Sequence, residues 1–114
     1  MKFQIVLLCL FFLVELNATP FYFKSYDMED GLSNNHVTCC VQDDYGFMWF
    51  GTRDGLNRFD SKKFYTFKSY SSEKGSLMSS YILDLAKSPT GQIWVSTNRG
   101  LQKYDYQTDS FTLI

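Results

Sequence analysis

The side chains with the clearest chemical potential are Asp43 and Asp44, two adjacent carboxylates shortly before Gly46 and Trp49. A carboxylate pair does acid–base work only when both groups reach one proton within hydrogen-bond range. Neighbouring residues at the end of a strand project to opposite faces, so this pair does not meet that condition. His36 is the single histidine and sits in a polar Ser33-Asn34-Asn35 approach to a strand, the setting of a solvated loop residue. A lone histidine gives no partner for a Ser/His/Asp set or a His-based metal cluster. Cys39 and Cys40 are adjacent, and an alternating strand turns one of them to the core as a small hydrophobe. Their spacing carries no disulfide framework and no zinc pattern. No catalytic residue, metal site or cofactor is expected. Arg53, Arg58 and Arg99, with Tyr45, Trp49 and Trp94, are the residues suited to a ligand, because guanidinium groups and aromatic faces match sugar hydroxyls and carboxylates. Among them Arg53, Arg99 and Tyr45 are the ligand-binding candidates. Arg53-Asp54-Gly55 and Asn98-Arg99-Gly100 fall in equivalent turns, and ordinary turn chemistry explains both equally well.

The elements that must position these residues come in two copies. Gly46, Trp49, Thr52, Gly55, Leu56 and Asp60 recur as Gly91, Trp94, Thr97, Gly100, Leu101 and Asp105, and the second number minus the first is 45 in every case. Leu32 and Val37 match Leu77 and Ile82 at the same offset. A period in the forties marks one supersecondary unit copied and stacked, so a residue present in both copies is expected to build the unit. Each copy reads as four short strands. The first comprises 37–42, a turn through Asp43-Asp44-Tyr45-Gly46, then 47–52, the Asp54-Gly55 hairpin, 56–60, and 64–70. The second comprises 81–87, 92–97, 101–105 and 111 onward, with a last turn two residues longer. Helical periodicity is absent beyond the leader.

Four antiparallel strands in about 45 residues, with recurring Gly, Trp and Asp, describe a β-propeller blade. The fold class is therefore all-β: two four-stranded blades over 32–70 and 77–114, within a partial propeller over 19–114. Trp49 and Trp94 sit mid-strand, where a flat ring wedges between blades. Phe23-Lys24-Ser25-Tyr26 repeats verbatim as Phe67-Lys68-Ser69-Tyr70, so 21–26 is expected to form one extra N-terminal strand. Two blades and a strand fall short of the roughly four needed to close the smallest ring. Further propeller blades of a longer chain, or self-association, are the expected partners, with apolar blade faces and strand edges left open.

Residues 1–18 read as a signal peptide: Lys2 supplies the positive start, 5–14 is an unbroken apolar run, and Ala18 fits the position before a cut. The run is short for a membrane span, and no membrane contact is expected beyond this segment. Export to the periplasm or outside the cell follows. With 11 basic and 12 acidic residues, net charge −1 and no basic stripe, nucleic acid is excluded as a partner. The 45% hydrophobic and 18% aromatic content belongs to a packed chain, not a disordered one.

The string Gly31-Leu32-Ser33, Gln42-Asp43, Gly46-Phe47, Trp49, Gly51-Thr52, Gly55-Leu56 and Arg58-Phe59-Asp60 resembles the two-component regulator propeller repeat. The resemblance runs over 21–114 and is strongest in the first unit. In the second, Ser96 replaces the glycine of the Gly-Thr pair and Pro89-Thr90 replaces Asp44-Tyr45. It implies the N-terminal periplasmic sensor portion of a Bacteroidetes-type hybrid regulator, responsive to oligosaccharides and not itself an enzyme. It also implies a larger protein carrying a second propeller, a membrane helix and a kinase, so this chain is expected to be a fragment or remnant. Asp44-Tyr45-Gly46-Phe47-Met48-Trp49 is also similar to the Asp-box of sialidases. Met48 stands where that box has a threonine and Pro89 replaces the acid in the second copy, which disfavours a secreted propeller glycosidase. An interaction scaffold without further function is the remaining alternative.

Overall fold

The computed structural model describes residues 24–70 and 73–114. Eight strands form two sheets in strict sequence order. The first holds β1 (Val37–Gln42), β2 (Met48–Thr52), β3 (Gly55–Phe59) and β4 (Phe64–Phe67); the second holds β5 (Ile82–Lys87), β6 (Ile93–Thr97), β7 (Gly100–Asp105) and β8 (Ser110–Leu113). All six pairings are antiparallel meander steps. Even the irregularities repeat: β1 carries a bulge between Val37 and Cys39, and β5 carries one between Ile82 and Asp84. The expected strands are thus present within a residue or so, except that β4 stops at Phe67 and the chain then leaves the sheet.

Residues 1–18, read as a leader, and Phe21–Phe23 lie outside the described residues, and Lys24–Tyr26 form no ladder with any described strand. Tyr26 instead lays its ring edge-on against Phe59 and Phe64, at centroid distances of 4.9 and 5.8 Å. Lys24–Tyr26 thus match Lys68–Tyr70 in lying outside any described strand, while the counterpart of Phe67, the last residue of β4, lies outside the described residues. Met28–Asp30 form a single 3-10 turn, closed by reciprocal bonds between Asp27 and Asp30.

The sheets stack face to face, with β5 lying against β1 and β2. Along β2, Trp49 and Gly51 point into the seam while Met48 and Phe50 point away. Along β6, Ile93 and Val95 point into it while Trp94 and Ser96 point away. The core is Trp49 and Leu56 from the first sheet against Leu77, Ile82, Leu85, Ile93, Val95, Tyr104 and Phe111 from the second. Gly51 sets the closeness of the approach: a Cβ there would stand 2.5 Å from both Cys39 Sγ and Ile82 Cγ2. Thr38, at the β1 bulge, donates its hydroxyl across the seam to the Ile82 carbonyl (2.7 Å), and Gly55 N–H donates to the Ser80 carbonyl (2.7 Å). Cys39 packs against the core and Cys40 is exposed, both as free thiols, as the alternation predicts.

Within each sheet a buried side chain pins the segment before the first strand. Asn57 Oδ1 accepts from Ser33 N–H (3.1 Å), and Gln102 Oε1 accepts from Met78 N–H (2.8 Å). Asn57 and Gln102 lie 45 positions apart, as do Ser33 and Met78. Thr52 and Thr97 likewise each accept from the turn beside them and donate to Gly55 and Gly100 carbonyls. Buried polar groups satisfied this way fix the register of the unit.

Candidate functional site

Odd-to-even turns bring one set of loops to one end of the sheets, and the β2–β3 and β6–β7 hairpins occupy the opposite end. Tyr45, in the β1–β2 turn, belongs to the first end. Arg53 and Arg99, in the two hairpins, belong to the second. The structure therefore does not unite the three sequence candidates. Arg53 and Arg99 project into solvent, and their backbone N–H groups do turn work, to the His36 carbonyl and the Thr97 hydroxyl respectively.

At the Tyr45 end a polar and aromatic cluster crosses the seam, centred on Asp43. This carboxylate is buried and accepts four hydrogen bonds. Oδ1 takes the N–H groups of Tyr45 and Phe47 (2.9 Å each). Oδ2 takes the Trp49 indole N–H (2.8 Å) and, from the second sheet, the Tyr106 hydroxyl (2.9 Å). Asp43 thus holds its own turn, the core tryptophan and the neighbouring sheet. Asp44 points elsewhere, to Lys87 Nζ at 2.6 Å, so the two acids share no substrate position. Its Oδ2 fills the space where a Cβ on Gly91 would stand, and Gly91 holds a φ of +87° in the matching turn.

Arg58 is the second hub. Its guanidinium lies 5.2–5.8 Å from the ring centres of Tyr65, Phe47, Trp49 and Phe67, and Nη1 donates to the Tyr104 hydroxyl at 2.8 Å. Tyr104 in turn donates to Asp109 Oδ1, which also lies 3.4 Å from Nη1. Burial, then the Asp109 hydrogen bond, push the Tyr104 hydroxyl up to about 12. Burial and the Asp43 bond raise Tyr106 further still. Both remain neutral donors at ordinary pH.

Around these hubs opens a cleft of about 460 Å³, lined by Tyr45, Phe47 and Arg58 from the first sheet and Tyr106, Gln107 and Asp109 from the second. Tyr45 is 70% exposed and its ring stands 4.9 Å from that of Tyr106. The lining offers aromatic faces beside amide, carboxylate and guanidinium groups, which suits a polyhydroxylated ligand. No group of three or more possible metal ligands occurs among the described residues. Sequence reasoning found Tyr45 and Arg58 but missed Tyr106, Gln107 and Asp109. These lie in and beside the two-residue insertion of the last turn, the one place where the second copy exceeds the first.

Residues 31–54 match the family described as Two component regulator propeller. The matched residues run from the segment entering the first sheet through β1 and β2, so the likeness to that family includes Asp43 and Trp49. Over 67 residues, 57% of the chain, it is 46% identical to Histidine kinase P4 of Formosa agariphila, of which it spans 5%. Its fold superposes with a TM-score of 0.73 and 37% identity on the extracellular domain of the hybrid two component system BT3049 from B. thetaiotaomicron, covering 82% of this chain and 13% of that one. The extracellular domain of BT4673 from the same organism, at 22% identity and a TM-score of 0.67, shares the fold, with 84% of this chain and 14% of that one covered. The chain spans a small part of each of these relatives. Among the described residues no helix is long and apolar enough to cross a membrane.

Proposed function

We propose that this chain is part of a non-enzymatic, ligand-sensing propeller outside the cytoplasm, and that its ligand is an oligosaccharide held in the cleft beside Tyr45 and Tyr106. The reading is carried by one observation: the cleft draws its lining from both sheets. A saccharide stacked on Tyr45 and bonded to Gln107 and Asp109 would bridge the seam. Any change in the angle between blades would then alter its affinity, which is the coupling a sensor requires. Residues 1–18 act in this reading as an export signal, delivering the chain to the periplasm or beyond. Asp44 is engaged with Lys87 and Asp43 is buried under four donors, so neither offers a free carboxylate for glycoside hydrolysis.

Titration of the full chain with neutral and uronic-acid oligosaccharides, followed by calorimetry, tests the reading. At least one class should bind, and Tyr45→Ala should weaken that binding at least about tenfold, the loss of about 1.4 kcal/mol of contact. Equal affinity in the variant, binding of no saccharide, or hydrolysis of the probe would overturn it.

A further inference from the structure

The outer face of the first sheet is apolar and uncovered by any described strand. Val37, Met48, Phe50, Phe59 and Phe64 line a groove of about 330 Å³ together with Tyr26 and Leu32. The repeat says what such a face is for. The counterparts of the first four at the offset of 45 are Ile82, Ile93, Val95 and Tyr104, and the strand pairing makes Phe111 the counterpart of Phe64. All five counterparts are core residues, at most 5% exposed, because they press on the Trp49 face of the other sheet. The far side of the second sheet carries the complementary image. Trp94 and Leu101 stand where Trp49 and Leu56 stand, and they border an open groove of about 260 Å³. Trp94 is half-buried, and its indole N–H has no acceptor among the described residues.

From this equivalence we infer that copies of the chain associate head to tail, the Trp94 face of one seating on the Phe50 face of the next. The closed seam inside the chain supplies the template, and the chain owns both halves of a second one. The two seams are not identical. Asp84 and Ser96 replace Cys39 and Gly51, and Ser96 brings a Cβ to the point where Gly51 allows Ile82 its close approach. The intermolecular seam is therefore looser and wetter than the internal one, and its association reversible. A front-to-back contact leaves one face free at each end, so copies add one after another until a ring closes, unlike a two-fold dimer.

Sedimentation of the full chain at micromolar to millimolar concentration tests the inference through two variants. Phe50→Arg blocks one face and Leu101→Arg the other, and both positions lie on outer surfaces, where folding is checked by circular dichroism. Wild type should form a concentration-dependent series of oligomers. Each variant alone should be monomeric, and an equal mixture should yield one heterodimer, because each retains the face the other lacks. Val37→Arg, at a position 44% exposed, replaces Phe50→Arg should the latter not fold. Ser96→Gly should tighten the wild-type association severalfold. A monomeric wild type, a mixture that does not pair, or a single variant that dimerises through its intact face would each overturn head-to-tail docking.

Discussion

Trp49 and Trp94 occupy the same place in two copies of one repeat, yet they live in different surroundings. Trp49 is fully buried, stacked against Phe67 at 5.9 Å and edge-on to Tyr104 at 4.8 Å, with its N–H bonded to Asp43. Trp94 is half-buried, and among the described residues it has no sheet over it and no acceptor for its N–H. Part of the difference is local: the counterpart of Asp43 is Ser88, whose hydroxyl accepts from Gln92 N–H and meets Thr90 but is not bonded to the indole. The larger part is positional. A blade tryptophan is a wedge only when a neighbouring sheet closes over it, so identical residues hold the fold together in one copy and await a partner in the other.

The largest test of this contrast is truncation of each ring. Trp49→Ala should cost about 3–5 kcal/mol, the range for deleting a buried large aromatic, whereas Trp94→Ala should cost below about 1 kcal/mol. Equilibrium urea unfolding of both variants under conditions where the chain is monomeric measures the gap, and equal losses would refute the distinction between the two faces. Next in size, Asp43→Ser rebuilds the first turn in the image of the second. It strands the Trp49 indole and the Tyr106 hydroxyl and removes a turn cap, for an expected loss of about 2–3 kcal/mol. A loss near zero would mean that water replaces the carboxylate without penalty.

Alkaline titration probes the seam side of the comparison. The Tyr104 hydroxyl is raised in the folded state from 10.0 to about 12, so its contribution is fully present below pH 10.0 and is lost as pH climbs toward about 12. Melting temperature should fall across that window, and Tyr104→Phe should fall less steeply; parallel curves would locate the alkaline loss elsewhere. The smallest effect is a gain. Ser88→Asp offers Trp94 the acceptor that Trp49 enjoys and should stabilise the chain by about 0.5–1 kcal/mol, read as a modest rise in the urea midpoint. Exposure of the ring to water keeps the gain small.

Much of this was legible in the residues. The offset of 45 predicted two equivalent sheets, the Gly46 and Gly91 turns and the positions of all eight strands, because strand alternation and turn glycines are local requirements that each copy must meet for itself. Of the extra strand expected over 21–26 only Lys24–Tyr26 are described, and they pair with no described strand, as Lys68–Tyr70, their copy in letters, do not either; a strand of this kind needs a blade edge that the described residues do not supply. The candidate site was half legible. Tyr45 and Arg58 stood out by type, while Tyr106, Gln107 and Asp109 sit in an insertion without a counterpart in the first copy, so the repeat gave no warning of them.

What the sequence determined by itself is the unit: four antiparallel strands, a buried Asn57 or Gln102 fixing its entry, and a threonine securing each hairpin. These depend on contacts within about forty residues of chain. What only the tertiary structure decided is which face of each unit is interior. Asp43 gained its fourth donor because Tyr106 arrives from the other sheet, and Trp49 became core while Trp94 is left half-buried because the second sheet stacks on one face of the first. Burial across a seam depends on which partner stands on the other side, and the positions that the two copies share carry no record of that.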